Sequence, residues 1–311
     1  MTPLEVVTLR DYLATRRARV DAALDQILSD QPQNPSLILG AIRYSVFAGG
    51  KRFRPILTLA AAEAVSPDVD RAVELAMPAA CAIEMIHTYS LIHDDLPAMD
   101  NDTVRRGKPT LHVVYGDGLA VLAGDALLAE AFALLAQERD APNASRTLRV
   151  VRVIAEAAGA GGMVGGQTLD LQAADQVKDT PRLALDAEGL RQMHARKTGA
   201  LIRAAAVSGA ILAGGTDSQI GAIDLYAADL GLAFQIVDDI LDVEGALQQM
   251  GKTTGKDAAA GKPTYPALFG LDQSRRLAND AAHRAIVALD QGPVSGERLA
   301  EIARWVVARS S

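Results

Sequence analysis

Apolar residues recur at helical spacing over most of the chain, and this periodicity is the feature that most limits its fold. It predicts helices over residues 4–28, 36–48, 55–65, 69–95, 117–137, 144–171, 187–213, 217–247, 264–289 and 297–308. The breaks between them are short and rich in Gly, Pro, Asp and Asn, which favour turns. Because short loops place successive helices antiparallel, we expect a single all-α bundle over residues 1–311.

The composition also favours helices. Hydrophobic residues make up 49% of the chain and aromatic residues only 4%, whereas strands prefer aromatic and β-branched residues. The net charge of −7 argues against nucleic acid as a bulk partner, because a phosphate backbone requires a basic face.

A single cysteine, Cys81, excludes a disulfide within the chain and fits a reducing, cytoplasmic location. Charged residues interrupt the apolar segments, so we expect no membrane span.

Two aspartate clusters end two of the long apolar segments. The first is DDLPAMD from Asp94 to Asp100, and the second is DDILD from Asp238 to Asp242. Carboxylates at the apolar end of a helix are costly unless cations neutralise them, and Mg²⁺ prefers carboxylate oxygens beside substrate phosphates. We therefore interpret the clusters as two halves of one magnesium site in a phosphate-handling enzyme. For either cluster alone, a solvated acidic turn is the alternative.

The spacing within each cluster predicts its local geometry. Asp238 and Asp242 lie one helical turn apart and reach the same point beside a helix. Asp94 and Asp100 are six residues apart and would face different directions on an ideal helix. Pro97 lies between them and has no N–H to donate, so we expect residues 96–99 to leave helical geometry and return Asp100 to the site.

Basic residues lie close to these motifs in the sequence. Gly50–Pro55 is a basic turn at a helix start, where cations and free N–H groups together form a plausible diphosphate cradle. Its alternative is a solvated surface turn. Arg105–Lys108 directly follows the first cluster and is placed to bridge a metal-bound phosphate and a second anion. The glycine-rich segment 159–166 is interpreted as a close helix crossing rather than a phosphate loop, since no strand precedes it. Further lysines, each weak evidence alone, flank the second cluster: Lys197, Lys252, Lys256 and Lys262.

Several patterns together resemble the trans-isoprenyl diphosphate synthase family. They occur in the family's order over residues 50–270: Gly50-Lys51-Arg52 with Arg54-Pro55, the first aspartate cluster with Arg105–Thr110, Gly165-Gly166-Gln167 with Asp170, Lys197-Thr198, Phe234-Gln235 before Asp238-Asp239, and Lys262–Leu268. The resemblance implies an isoprenoid synthase (class I terpenoid synthase-like) helical bundle around a deep central cavity, normally a homodimer. Within the family the chain is most similar to bacterial farnesyl diphosphate synthases. Lys256 departs from the family pattern, and its role is unassigned.

The resemblance also implies an activity and residue roles. The family joins isopentenyl diphosphate to dimethylallyl or geranyl diphosphate, here with farnesyl diphosphate as the expected product and geranylgeranyl diphosphate as the alternative. About three Mg²⁺ ions would be held by Asp94, Asp100 and Asp238, supported by Asp95, Asp239 and Asp242. The implied diphosphate-binding residues are Gly50, Lys51, Arg54, His87, Arg105, Arg106, Lys197, Lys252 and Lys262. The implied residues around the allylic cation are Gln235, Thr198 and the carbonyl group of Lys197. His93 is interpreted as structural.

One further position, Tyr89, is expected to limit the length of the prenyl product. Tyr89 lies five residues before Asp94, where the resemblance implies a gate for chain length and where an aromatic residue goes with a fifteen-carbon product. A helical wheel places Ser90 more directly beneath Asp94, but only the tyrosine is bulky enough to stop a chain. Ordinary helix packing of Tyr89 is the alternative.

Two other functions share parts of this pattern. A class I terpene cyclase would carry a different second metal motif with a glutamate at its last position, where this chain has Ala246. A non-catalytic regulatory subunit would tolerate the loss of acidic or basic motif residues, and none of them is missing. Both alternatives therefore fit less well than a synthase.

Overall fold

The computed structural model describes residues 7–29, 34–137, 141–248 and 264–309. Within these ranges the chain forms α-helices, one π-helical turn and one short hairpin. The elements are α1 Leu9–Ile27, α2 Ser36–Val46, α3 Phe53–Val65, α4 Val69–Asp94, β1 Val104–Arg105, β2 Lys108–Pro109, α5 Leu111–Tyr115, α6 Asp117–Leu135, α7 Ala141–Ala158, α8 Met163–Ala173, α9 Ala187–His194, the π-helical turn Ala195–Gly199, α10 Ala200–Leu212, α11 Asp217–Gln248, α12 Tyr265–Phe269, α13 Leu271–Asp290 and α14 Glu297–Val307.

The core lies around α3, α4 and α10. Every residue of α3 except Arg54 and Glu63 is buried, and α10 is similarly enclosed. Small residues let these backbones approach closely: a Cβ atom at Gly209 of α10 would lie 1.9 Å from the carbonyl oxygen of Thr58 in α3. Helix α4 packs against α3, α6 and α10, and α11 packs against α10 and α13. The all-α bundle expected from the sequence is confirmed, and Cys81 is buried within it.

Two of the predicted helices are each divided in the structure. The segment expected as one helix over 144–171 forms α7 and α8, because the chain turns tightly at Gly159–Gly162; a Cβ atom at Gly162 would lie 2.1 Å from the carbonyl oxygen of Ala157. Helix α7 also begins earlier than predicted, at Ala141. The segment expected over 264–289 is interrupted at Gly270, whose φ of 76° favours glycine.

A hairpin after the first aspartate cluster was not predicted. Val104 pairs with Pro109 and Arg105 with Lys108 in antiparallel register. The two residues of the turn, Arg106 and Gly107, both have positive φ, at 53° and 75°. Positive φ at both central residues is the geometry of a type I′ turn, one of the two turn types that favour two-residue hairpins.

The predicted helix over 187–213 is continuous but contains the π-helical turn Ala195–Gly199. Glycines on two neighbouring helices make room for it. A Cβ atom at Gly166 of α8 would lie 2.2 Å from the backbone nitrogen of Lys197, and one at Gly231 of α11 would lie 3.1 Å from the Cα of Gly199. The interpretation of the glycine-rich segment as a close helix crossing is therefore confirmed. Single π-helical turns occur often at functional sites.

Three helices are long and apolar enough to cross a membrane by length and composition alone: Val69–Asp94, Asp117–Leu135 and Asp217–Gly245. The expectation that charged residues keep every apolar segment below that length is wrong for these helices. In the bundle, 67%, 39% and 56% of their apolar windows are buried, so the middle helix, α6, is the most exposed of the three.

Candidate active site

The first aspartate cluster lies where α4 ends. The helix ends at Asp94, and the following turn brings the chain back, since the backbone N–H of Asp100 donates to the carbonyl of Asp94 at 2.9 Å. The N–H of Asn101 donates to the carbonyl of Leu96 in the same turn. The expected departure from helical geometry is confirmed, although it ends the helix rather than forming a bulge within it. The turn holds the backbones of Asp94 and Asp100 side by side.

Asp95 faces a different partner from its neighbours in the cluster. It is 5% exposed and accepts hydrogen bonds from Arg105, with Nε at 2.8 Å from Oδ1 and 3.1 Å from Oδ2. Burial raises the pKa of Asp95, and the guanidinium group of Arg105 opposes that shift. This arrangement places Arg105 beside the cluster and suits Asp95 to positioning Arg105 rather than to direct metal binding.

The hairpin also places the second arginine of its motif. The Arg106 guanidinium group donates to the carbonyl of Gly49, and a Cβ atom at Gly50 would lie 2.7 Å from its Nη1. Gly49 and Gly50 have φ of 104° and 135°, so glycine is favoured at both positions. Gly49 and Gly50 therefore let Arg106 pack against the start of the basic turn, and Arg106 lines the same cavity as Lys51 and Arg54.

These side chains line a cavity of about 550 Å³, here named the basic cavity. Arg54 and His87 form part of its wall, with Arg54 Nη1 at 3.3 Å from His87 Nε2. Burial lowers the pKa of Arg54 and lowers the pKa of His87 well below its usual value, and Arg54 adds to the shift of His87. The buried Nε of Arg54 has no hydrogen-bond partner among the described residues. The cations lining this cavity are Arg17, Lys51, Arg52, Arg54, Arg106 and Arg309.

A second cavity of about 310 Å³, here named the apolar cavity, shares Arg54 and His87 with the first. Asp94, Lys197 and Thr198 also line it. Its remaining lining residues are the apolar or aromatic Tyr89, Leu91, His93, Met99, Met163, Val164 and Leu171 and the polar Ser90, Gln167 and Thr168. The cavity therefore combines charged groups with apolar and aromatic side chains.

The π-helical turn positions Lys197 and Thr198. Lys197 Nζ donates to Asp170 Oδ2 at 2.5 Å, and Asp170 is only 4% exposed. The pair connects the π-helical turn to α8 and fixes the lysine side chain at the cavity. The backbone of Lys197 also packs closely against Gly166, so both the backbone and the side-chain amino group of this residue are held in place.

Two carboxylates of the second aspartate cluster have different partners. Asp239 is 3% exposed and accepts hydrogen bonds from Gln235 Nε2 at 2.8 Å and from the backbone N–H of Tyr265 at 3.0 Å, which ties α11 to α12. Asp238 instead pairs with Arg309, with Nη2 at 3.1 Å from Oδ1. The Asp238 side chain is 42% exposed, yet it lies deep enough among protein atoms for desolvation to raise its pKa, with Arg309 opposing the shift.

The donor set fits magnesium in its chemistry. Asp94 and Asp100 share one turn, Asp238 and Asp242 share one helix face, and all four offer the oxygen ligands that Mg²⁺ prefers. The carboxylate of Asp238 is partly desolvated and already holds a cationic group, so a cation there is chemically favoured. Among residues 7–29, 34–137, 141–248 and 264–309, no three His, Cys, Asp or Glu side chains converge as a preformed metal cluster. The two clusters therefore do not form a closed metal site by themselves.

The structure separates the predicted site residues into groups. Those lining the apolar cavity are Arg54, His87, Tyr89, Ser90, Asp94, Lys197 and Thr198, and those lining the basic cavity are Gly50, Lys51, Arg54, His87 and Arg106. The described linings of these two cavities do not include Asp95, Asp100, Arg105, Gln235, Asp238, Asp239 and Asp242. Lys252, Lys256 and Lys262 lie outside the described residues.

Three residues at the site were not assigned roles from the sequence. Gln167 lines the apolar cavity, and both polar atoms of its buried amide have no partner among the described residues. Asp170 orients Lys197, and Arg309 compensates Asp238. Gln167 and Asp170 lie in a pattern that the family resemblance included, so their sequence signal was present. Arg309 carried no signal, since it is one arginine near the end of an amphipathic helix.

Comparison with known proteins agrees with this architecture. The polyprenyl synthetase family model matches residues 35–301. A dimethylallyltranstransferase of Fischerella ambigua is 45% identical over 97% of this chain and 84% of its own length, and a geranylgeranyl diphosphate synthase of Cyanophora paradoxa is 42% identical over the full length of both. The crystal structure of an FPP/GFPP synthase from Zymomonas mobilis superimposes with a TM-score of 0.82 at 35% identity, covering 96% of this chain and 98% of that one. On this evidence the chain belongs to the polyprenyl synthetase family of trans-isoprenyl diphosphate synthases and has their all-α fold.

Proposed function

We propose that this chain-elongating prenyltransferase joins isopentenyl diphosphate to dimethylallyl and then geranyl diphosphate, with (2E,6E)-farnesyl diphosphate as its product. The observation that carries the proposal is the junction of the two cavities at Arg54 and His87. A basic cavity can hold the diphosphate of one substrate while the apolar cavity accepts the chain of the other. Tyr89, in the lining of the apolar cavity, supports a fifteen-carbon limit.

Different residues would act on the leaving diphosphate and on Mg²⁺ during the condensation. The C1–O bond of the allylic substrate breaks and diphosphate leaves with the electron pair; the double bond of isopentenyl diphosphate then attacks C1. A proton is lost from the new cation to the released diphosphate. Lys197, held by Asp170, and Arg105, held by Asp95, would bind the leaving diphosphate through charge-assisted hydrogen bonds. Asp94, Asp100, Asp238 and Asp242 would hold Mg²⁺, which when bound neutralises charge developing on that diphosphate.

The apolar cavity would shield the allylic cation from water with its apolar and aromatic side chains. Thr198 lies in its lining and offers a hydroxyl oxygen. Gln235 donates its amide nitrogen to Asp239, which orients its carbonyl group. We infer that both oxygens stabilise the cation electrostatically: Thr198 from the cavity lining, and Gln235, which lies outside the described lining, on the strength of the family resemblance.

A second candidate product is geranylgeranyl diphosphate. The relative that matches this chain over its full length is named a geranylgeranyl diphosphate synthase. Incubation of the purified protein with Mg²⁺, isopentenyl diphosphate and dimethylallyl diphosphate, followed by chromatography of the products, tests both. A dominant twenty-carbon product would overturn the farnesyl proposal, and no condensation at all would overturn the function.

The gate itself is tested by Tyr89→Ala. Tyr89 is 8% exposed, and removal of its ring opens space along the apolar cavity, so the main product is expected to be one isoprene unit longer than that of the wild type. Product chromatography at matched substrate concentrations measures the shift. Ser90→Ala is the matched control, because Ser90 is small and is expected to leave the product length unchanged. An unchanged product from Tyr89→Ala at normal rate would exclude Tyr89 as the gate.

The basic turn gives a test of diphosphate binding. Lys51 is exposed in the basic cavity, and we expect Lys51→Ala to raise KM for isopentenyl diphosphate about tenfold, the effect of losing one charge-assisted hydrogen bond. Steady-state kinetics with the allylic substrate saturating measure this change. Lys108→Ala is the control, since Lys108 is exposed but lies outside the described lining of that cavity. Equal KM values for both variants and the wild type would contradict the assignment of Lys51.

We also propose that two copies associate through α5 and α6. A helix that is apolar on nearly all sides is normally buried, yet Val113, Val114, Val121 and Leu122 are 50%, 47%, 39% and 58% exposed. A second copy of the chain would cover them. Leu122→Glu is expected to convert a dimer to a monomer in analytical ultracentrifugation, whereas Leu225→Glu, at a residue 63% exposed on α11, should leave it dimeric. A monomeric wild type would contradict this proposal.

A further inference from the structure

His93 lies between the apolar cavity and helix α6. It lines the cavity together with Tyr89, and the two rings meet edge to face with centroids 5.6 Å apart. Tyr89 and His93 are one helical turn apart on α4, so their rings lie in sequence along the same face. The ring that limits the cavity therefore rests against a second ring.

Helix α6 in turn fixes the position of His93. The imidazole Nε2 lies 3.1 Å from the carbonyl oxygen of Val121, which it can contact only as an N–H donor. The ring sits directly over Gly124, where an added Cβ atom would lie 2.1 Å from Nε2 and 2.5 Å from Cδ2. Gly124 has no positive φ, so the space above it, not the backbone conformation, is what requires glycine here.

We propose that His93, seated in the notch at Gly124, is a positioning residue that sets the depth of the apolar cavity and thereby the length of the prenyl product. This inference rests on the proposed chain-elongating function. His93 contacts the tyrosine ring on one side and the α6 backbone on the other, so its ring packs between the two. The gate is then a pair of rings anchored on α6 through Val121 and Gly124.

The geometry predicts opposite effects for two substitutions. His93→Ala removes a ring that lines the cavity and that Tyr89 packs against, so the ratio of the product one isoprene unit longer to the wild-type product should rise about tenfold. Gly124→Ala places a methyl group where Nε2 now lies and pushes the flexible end of His93 toward the cavity. The share of the product one isoprene unit shorter should therefore rise. Neither direction depends on whether the wild-type product has fifteen or twenty carbons.

The double variant His93→Ala/Gly124→Ala provides the decisive comparison. Once the imidazole is gone, the methyl group at residue 124 has nothing to displace and fills part of the vacated space. The product length of the double variant should lie between those of the wild type and His93→Ala. In the His93→Ala background, Gly124→Ala should therefore no longer increase the share of the product one isoprene unit shorter than the wild-type product. His283→Ala, at an exposed histidine of α13, is the matched control and should leave the product distribution unchanged.

Product ratios, rather than rates, are the readout. His93 adjoins Asp94, so a general disturbance of the site would lower total consumption of isopentenyl diphosphate without changing product length. Gly124→Ala keeps α4 intact and preserves the test if His93→Ala does not fold. Unchanged ratios in folded, active Gly124→Ala, or a shift of both single variants in the same direction, would overturn the inference. A wild type that condenses no substrate would instead overturn the proposed function.

Discussion

Replacing Asp94 or Asp238 by alanine is expected to lower turnover at least about a hundredfold at saturating Mg²⁺, because each loses electrostatic stabilisation of several kcal/mol at the leaving group. Single-turnover and steady-state rates with both substrates measure the loss. Asp280→Ala is the control, since Asp280 is exposed on α13. Either site variant turning over at near-normal rates would exclude that carboxylate from the metal site.

Asp238→Ala is not expected to stabilise the metal-free protein. A metal-binding carboxylate without a counter-charge would be expected to destabilise the metal-free protein, so its removal would raise stability. The structure argues against that gain for Asp238, because its removal leaves Arg309, whose side chain is only 6% exposed, without the carboxylate that it pairs with at 3.1 Å. Asp239→Ala should instead lower stability, since it leaves the backbone N–H of Tyr265 and the amide of Gln235 without their shared acceptor.

Periodicity was sufficient for the helices but not for their interruptions. The long apolar segments of α4 and α11 begin and end close to the predicted positions, because their patterns extend over many turns. The division between α7 and α8 depends on a tight approach of Gly162 to the α7 backbone, and the π-helical turn depends on Gly166 and Gly231 from other helices. Such contacts join residues far apart in sequence, so no local pattern can predict them.

The candidate site shows the same limit at the level of single residues. The two aspartate clusters were recognised from residue type and apolar context. The different roles of the carboxylates within each cluster could not be predicted. Asp95 pairs with Arg105 of the hairpin, and Asp239 accepts from Tyr265 of α12, so both contacts depend on elements outside the clusters. The interpretation of His93 as merely structural followed from its own segment, whereas its packing over Gly124 involves a different helix.

The basic turn illustrates the point most sharply, because it places three neighbouring cations in different environments. Lys51 is exposed in the basic cavity and Arg54 lies in the wall shared by both cavities. Arg52 is 4% exposed, directly precedes α3 with a φ of 51°, and donates from Nε to Asp21 at 2.7 Å, from Nη1 to Glu84 at 2.7 Å and from Nη2 to the carbonyl of Val46 at 2.6 Å. Arg52 therefore stabilises the turn that presents its neighbours.

Arg52→Ala is accordingly expected to lower the free energy of unfolding by about 3–5 kcal/mol, because it leaves the Glu84 carboxylate buried without its partner. Glu84 is only 3% exposed, so hydration compensates little for the lost guanidinium group. Urea denaturation followed by circular dichroism measures the change, with Lys51→Ala as the control that should retain wild-type stability.

The double variant Arg52→Met/Glu84→Leu separates loss of the ion pair from loss of packing. Apolar side chains of similar volume remove both buried charges together, and such replacements are often neutral or stabilising, so most of the lost stability should return. If Arg52→Ala unfolded at the same urea concentration as Lys51→Ala, the buried pair would have no structural role. If it were stable but inactive, Arg52 would belong with Lys51 and Arg54 among the residues that bind substrate.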